Sequence, residues 1–330
     1  MAAFRSILVP LDGSTYSVQA LALAEQFARK AGATVHLVLV HQRAPTWFNP
    51  PEVPVDMAAF DDAALQREVD YLAGVARRFA ANSGLPVKHR VLDGDVPSAI
   101  EEFSMAQGVD LVVMTTHGHT GITRLWLGST ADKLIRRLRI PVLVVRPVQD
   151  AAIVPPRIRR ILVPLDGSRL SASILDQAGA LARSHAAELV LAMIVEPLPP
   201  MVPPVPYPLS LPPVSEEARI LEDQRYLDAV RIRMEDEGLQ VETRVLMGRK
   251  VAKQITEVAI RESCDLIAMA THGAGGLDRL LMGSVTDQVV RRASIPVLVL
   301  RPPTDVTTRD TQAGEAGEEL VGAGSSCAIG

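Results

Sequence analysis

The stretch Ile7-Leu8-Val9-Pro10-Leu11-Asp12-Gly13-Ser14 returns letter for letter as Ile161-Leu162-Val163-Pro164-Leu165-Asp166-Gly167-Ser168, an offset of 154. Farther along, Thr116-His117-Gly118 and Leu127-Gly128-Ser129 are answered by Thr271-His272-Gly273 and Met282-Gly283-Ser284, now at an offset of 155. Both copies close alike, on Ile140-Pro141-Val142-Leu143-Val144 and Ile295-Pro296-Val297-Leu298-Val299. A period of this length is the size of a whole domain and far too long for a solenoid unit. The chain therefore reads as two copies of one fold: a first domain over 1–147, a linker over 148–157, a second domain over 158–302 and a disordered tail over 303–330.

Within each copy short apolar runs alternate with segments of helical spacing. Strands are predicted at Ser6–Pro10, Val35–Val40, Val87–Leu92, Leu111–Thr115 and Val142–Val145. In the second copy the later four fall at Leu189–Val195, Val241–Leu246, Leu266–Ala270 and Val297–Leu300. Ala20, Ala24, Phe27, Ala28 and Ala31 recur at helical spacing, and Gly32 ends that helix. A later helix carries Leu65, Val69, Leu72, Ala73, Ala76 and Ala80 as its apolar face, matched by Ile220, Leu227, Val230 and Met234. Strands alternating with helices give a doubly wound α/β domain, Rossmann-like, with a five-stranded parallel sheet in the order 3-2-1-4-5. His41–Val55 and Glu196–Val214 are Pro-rich and are expected to be extended or mobile loops.

Composition excludes several classes. The net charge of −4, from 34 basic and 38 acidic residues, gives no general attraction to nucleic acid or an anionic membrane. No apolar run approaches the roughly 18 residues of a membrane helix, and the first residues enter a strand without room for a signal peptide. Cys264 and Cys327 lie in unlike contexts, so neither a disulfide framework nor a cysteine metal site is expected. A cytoplasmic protein is the expectation.

In an open parallel sheet ligands bind beyond the carboxyl ends of the strands, where the strand order reverses. The loops after strands one and four occupy that place, and they are the segments the copies share. Gly118, Gly128 and Ser129, like Gly273, Gly283 and Ser284, would offer backbone amides, a helix N-terminus and a hydroxyl, which suits a polyphosphate. The bland alternative is that the glycines only make turns and Ser129 is an N-cap. His117 and His272 read as structural loop residues, since no second ligand recurs at metal spacing in both copies; His119 faces Ala274. Arg124 and Arg279 recur in the same loop and read as solvated.

On these residues the chain resembles the universal stress protein family in its tandem-domain form. The resemblance runs over residues 4–147 and 158–302 and rests on the first strand with its Asp, the Gly-rich loop and the closing Pro-Val-Leu-Val strand. Nucleotide-binding members carry Gly-x2-Gly-x9-Gly-Ser/Thr. Here Gly118-x9-Gly128-Ser129-Thr130 and Gly273-x9-Gly283-Ser284-Val285 keep the later part, while Thr115 and Ala270 stand at the first glycine. Because Thr is the bulkier of the two, the first site is expected to be the weaker if they differ. The resemblance implies that Asp12 and Asp166 lie near the adenosine end; capping the first helix is the equal alternative. It also implies that Val40 and Ile194 end a strand whose backbone meets the adenine edge. Pro10, Pro164, Met114 and Met269 would line the pocket.

Three functions compete. The preferred one is an ATP-binding stress or signalling module, with Mg2+ accompanying the triphosphate. The second is a nucleotide-free scaffold for dimerisation or protein contact. The third is a weak ATPase, opposed by the absence of a Walker motif and of an evident base, so the protein is read as no enzyme. The apolar fifth strands would be bare sheet edges, and they are expected to pair with each other in a pseudo-twofold dimer of domains. Further homodimerisation is left open.

Overall fold

The computed structural model describes residues 4–43, 57–116, 127–147, 157–197, 215–271 and 282–302. The first domain runs β1 (Ser6–Leu11), a 3-10 turn (Ser17–Gln19), α1 (Ala20–Ala31), β2 (Thr34–His41), α2 (Met57–Ser83), β3 (Val87–Asp93), α3 (Val96–Ala106), β4 (Leu111–Thr115), α4 (Ser129–Arg137) and β5 (Val142–Val145). The second follows the same plan. It has β6 (Arg160–Leu165), a one-turn α5 (Arg169–Ala172), α6 (Leu175–His185), β7 (Glu188–Val195), α7 (Glu216–Asp236), β8 (Val241–Met247), α8 (Val251–Arg261), β9 (Leu266–Ala270), α9 (Ser284–Arg292) and β10 (Val297–Leu300).

Among the described residues the strands form one ten-stranded sheet, β3-β2-β1-β4-β5-β10-β9-β6-β7-β8. Each half has the order 3-2-1-4-5 that the alternation of strands and helices predicts. Inner strands are apolar on both faces because helices cover both. Successive residues of β1 alternate accordingly: Ile7 and Val9 enter the core with α1, α2, α6 and α7, whereas Leu8 enters the core with α3, α4, α8 and α9. The two outer strands, β3 and β8, are only partly buried.

The halves meet where β5 and β10 pair antiparallel, with Leu143 opposite Leu298. Both leucines are fully buried. Truncating either would cost about 2–5 kcal/mol. A second contact joins α1 to α6, where the Phe27 and His185 rings lie 5.2 Å apart. Reciprocal arginines close the seam. Arg301, just after β10, donates to the carbonyls of Arg136 at 2.6 Å and Arg137 at 3.4 Å. Arg146, just after β5, donates to the Arg291 carbonyl at 2.9 Å. Each cation thus sits at the negative end of the other domain's last helix.

Two expectations change. Leu65 and Val69 are not core residues but exposed, because the buried stripe of α2 is Leu72, Val75, Ala76 and Phe79. His41 is no loop residue: it ends β2, in register with Asp93 of β3. Cys264 is buried, and burial pushes its thiol up to about 12, beyond the reach of thiolate chemistry. No helix among the described residues is long and apolar enough to cross a membrane.

Candidate functional site

A cleft of about 460 Å³ opens at the carboxyl ends of β1, β2 and β4. Its floor is Pro10, Asp12, Val40, Met114 and Thr115, and its far end is the start of α4 at Gly128, Ser129 and Thr130. The structure therefore gathers the proposed first-site residues around one space, apart from Gly118, which lies outside the described residues. A smaller cleft of about 230 Å³ occupies the same place in the second half, lined by Pro164, Asp166, Met269, Ala270, Gly283, Ser284 and Val285. Gly273 lies outside the described residues, as do His117, His119, His272, Arg124 and Arg279. Ile194 is not among the residues lining the second cleft. It ends β7 half-buried against the core under α8 and α9.

The two clefts differ because their walls differ. Thr286 stands where the first domain has Ala131, and its buried hydroxyl donates to the Ala270 carbonyl at 2.9 Å. Met193 stands in place of Leu39. The second cleft ends at β6 and β9 and does not reach strand two, whereas the first extends along Val38, Val40 and Gln42.

The loop after strand one is built identically in both halves. Asp12 accepts from the backbone N–H of Ser14 at 3.0 Å and from its hydroxyl at 2.6 Å. Ser14 Oγ in turn accepts the Ser17 N–H at 3.1 Å, and Ser17 Oγ accepts the Asp12 N–H at 3.3 Å. Asp166, Ser168 and Ser171 repeat these bonds at 3.0, 2.6, 3.1 and 3.3 Å. The helix-capping alternative for Asp12 and Asp166 is thus corrected: each aspartate holds its serine. In the second domain that serine, Ser168, is the N-cap of α5, whereas the 3-10 turn of the first domain starts at Tyr16 without a side-chain cap. Gly13 and Gly167 make this fold-back with φ of 84° and 81°, a region that favours glycine. Tyr71 and Tyr226 come from α2 and α7 to the same aspartates. Burial first, and then the charge of Asp12 or Asp166, pushes each phenol above its ordinary value.

At the other end Gly128 and Gly283, not the serines, are the N-cap residues of α4 and α9, with φ near −57° and −55°. Ser129 and Ser284 are the first helical residues. Each capping glycine donates its N–H back to strand four, to Thr116 O and Thr271 O, both at 2.8 Å. Glycine has no side chain with which to cap, and neither N-cap residue makes a side-chain bond. The first turn of each helix, with its amides and the positive end of the helix dipole, lies at the end of its cleft. Thr115 and Ala270, at the first motif position, are ordinary strand residues paired with Val145 and Leu300. Neither has positive φ, so a Cβ is accommodated there without backbone strain.

At the strand-two end of the first cleft, Glu68 of α2 joins the wall beside Gln42. Its carboxylate lies 2.8 Å from His41 Nδ1, and Asp61 lies 3.3 Å from Nε2. Burial alone would lower the His41 pKa; the hydrogen bonds and charges of Glu68 and Asp61 outweigh it, and the net shift is upward.

Sequence reading missed Ser17 and Ser171, although they share the 154 offset, and the flanking Thr116 and Thr271. It also missed Glu68, for which the sequence holds no local signal. Among the described residues no cluster of His, Cys, Asp and Glu is arranged to hold a metal.

The profile of the universal stress protein family matches residues 3–146 and again 157–301. Universal stress protein MJ0531 of Methanocaldococcus jannaschii is 36% identical over 143 residues, covering 43% of this chain and 82% of that protein. Universal stress protein Rv1996 of Mycobacterium tuberculosis is 27% identical over 321 residues, covering 91% of this chain and 96% of its own length. A universal stress protein from Archaeoglobus fulgidus has the same fold, with a TM-score of 0.66 at 20% identity over 92% of this chain and 98% of that one. With both halves matched by the family's profile, the chain belongs to the universal stress protein family as a tandem of two family domains.

Proposed function

We propose that the protein is a nucleotide-responsive module that binds ATP, with Mg2+ screening the triphosphate, and that it is no dedicated enzyme. The observation that carries this reading is the pair of glycine-capped helix N-termini, at Gly128 and Gly283, whose amides face a cleft at the switch point of the sheet. In the first cleft the phosphates would take the amides of Ser129 and Thr130. The adenine would lie against the backbone edge at Val40, and Asp12 would face the ribose side. The Gly118 and Gly273 loops complete the phosphate end in this reading. Sequence alone expects the first site to be the weaker, but cleft size argues the reverse. About 460 Å³ lies within the ~300–1,000 Å³ range of small-ligand sites, and about 230 Å³ falls below it. We assign the first domain as the principal site.

A ligand that prefers the native state must raise stability in proportion to its saturation. Millimolar ATP with Mg2+ is expected to raise the melting temperature, and Gly128→Val to remove most of that rise by weakening the first site about 100-fold or more. Gly283→Val is expected to remove the smaller remainder. If ATP gives no shift and denatured protein releases no nucleotide, the scaffold reading replaces this one. Turnover of ATP well above background, lost in Asp12→Asn, would instead make it an enzyme.

A further inference from the structure

His41 is a buried titratable side chain beside the first cleft. Only 7% of its side chain is exposed. Both ring nitrogens face carboxylate oxygens, Glu68 at 2.8 Å and Asp61 at 3.3 Å. An ionised carboxylate only accepts, so a neutral ring can donate to one of the two and a protonated ring to both, and this setting favours the cation. Asp61 and Glu68 are seven residues apart on α2, two helical turns, and so present themselves on one face toward the end of β2. Gln42, next to His41 in the chain, and Glu68, its partner, both line the cleft.

The second domain lacks the imidazole. By the register of the buried residues on α2 and α7 (Leu72 with Leu227, Phe79 with Met234), Asp223 matches Glu68 and Glu216 matches Asp61. Val195 takes the place of His41. The carboxylates are kept without the cation, and burial pushes the Asp223 pKa upward. The helix is also shorter: α2 has 27 residues and α7 has 21.

We propose that His41 is a positioning residue of the first cleft: held as a cation between Asp61 and Glu68, it fixes the Glu68 carboxylate in the cleft wall and offsets its charge, so that polyphosphate binding there weakens as pH rises while binding in the second cleft does not. The proposal rests on the nucleotide reading above for its ligand, but the ion cluster stands without it. Other charged groups at the end of β2 are Asp93 of β3, taken up by Arg43 at 2.7 Å, and Asp12 after β1, held by Ser14. The upward shift on His41 comes from Glu68 and Asp61. Its sign fixes the direction. A histidine whose folded pKa lies above 6.5 contributes fully below that value and loses its contribution as pH rises through the raised value. Above it, Glu68 faces an anionic ligand from the cleft wall with its charge no longer offset.

The test uses the full chain in two backgrounds, Gly283→Val to report the first cleft and Gly128→Val to report the second. ATP–Mg2+ affinity is measured by calorimetry from pH 6 to pH 9 in each. Ligand ionisation is common to both, so the difference in slope isolates the protein. The first cleft is expected to lose about tenfold relative to the second across that range, equivalent to one unit of coupled ionisation. His41→Gln and Glu68→Gln should each abolish the extra slope, and Glu68→Gln should keep high affinity at pH 9. Equal slopes in the two clefts, or an extra slope that survives both substitutions, overturns the proposal. Should neither cleft bind nucleotide, the functional reading fails, and NMR of the ligand-free chain decides the cluster. A His41 titration midpoint above 6.5 that falls in Glu68→Gln upholds it, and a midpoint at or below 6.5 in the parent chain sinks it.

Discussion

The two clefts keep the same helix-start end and differ at the end toward strand two. Gly128 and Gly283 cap their helices with nearly equal backbone angles, and each donates to strand four at 2.8 Å. The aspartate–serine loops after β1 and β6 match bond for bond. Yet the first cleft reaches along strand two to Gln42 and Glu68, and the second stops short of that strand. Charge is distributed differently as well. The first domain places His41, Asp61 and Glu68 beside its cleft. The second places an ion network at the opposite ends of its strands, where Arg160 meets Glu188 at 3.0 Å and Glu242 at 2.7 Å, and Arg244 meets Glu262 at 3.1 Å. Ser6, Thr34, Lys88 and Gln107 stand at the corresponding places of the first domain. The duplication preserved the glycine-capped helix start and let the remainder of each cleft diverge.

The comparison breaks most readily at Ala131. It is buried, lines the first cleft and corresponds to Thr286, whose hydroxyl occupies the wall of the second. Ala131→Thr is expected to weaken ATP binding in the first cleft by about tenfold or more, from about 1–3 kcal/mol of overpacking at the wall. Calorimetry in the Gly283→Val background reads it directly. Unchanged affinity would mean that the wall residue does not set the difference between the clefts. The reverse change, Thr286→Ala, enlarges the second cleft but strips a buried hydrogen bond from the Ala270 carbonyl, at a cost of about 1 kcal/mol.

A reciprocal contact crosses the seam. Arg301 donates to the carbonyls of Arg136 and Arg137 at the end of α4, and Arg146 donates to the Arg291 carbonyl at the end of α9. Hydrogen bonds from a charged donor contribute about 1.5–3 kcal/mol, and a cation at a helix C-terminus adds to this. Arg301→Ala and Arg146→Ala are therefore each expected to lower stability by about 2 kcal/mol in urea denaturation. If neither variant loses stability, these arginine contacts do not hold the seam. Because α4 and α9 begin at the clefts and end at these arginines, the same variants show whether one domain's seam is felt at the other's phosphate end.

What was legible in the sequence follows from which features are local. β4, β5, β9 and β10 fall at the predicted residues because each is a buried apolar run bounded by Pro, Gly or polar residues. The starts of α4 and α9 were visible because glycine precedes the helical spacing. The exposure of Leu65 and Val69 was not, since period alone cannot tell where a long helix leaves the sheet. His41 was hidden for a different reason. Its partners are 20 and 27 residues away, and the Pro-rich letters that follow it gave the whole passage the look of a loop. The alternative that Ser129 is the N-cap fails by one residue, because glycine and serine are both favoured caps and the sequence does not say which of the two adjacent residues takes the place.

The smallest contrast is the one best isolated from function. Both α1 and α6 end with a left-handed residue whose N–H closes the last turn, Gly32 onto Ala28 and Ala186 onto Ala182. Their φ values are 63° and 51°. A Cβ on Gly32 would meet nothing within 4 Å, so the difference between glycine and alanine there is conformational rather than steric crowding by neighbours. Left-handed alanine costs about 1–2 kcal/mol, and glycine returns part of that through the greater entropy of its unfolded chain. Ala186→Gly is therefore expected to stabilise the second domain by about 0.5–1 kcal/mol, and Gly32→Ala to destabilise the first by a similar amount. Hydrogen exchange of core amides in each domain separates the two effects. If Gly32→Ala left the first domain unchanged, the left-handed turn would be relaxing at no cost, and the strain assigned to Ala186 would have to be withdrawn with it.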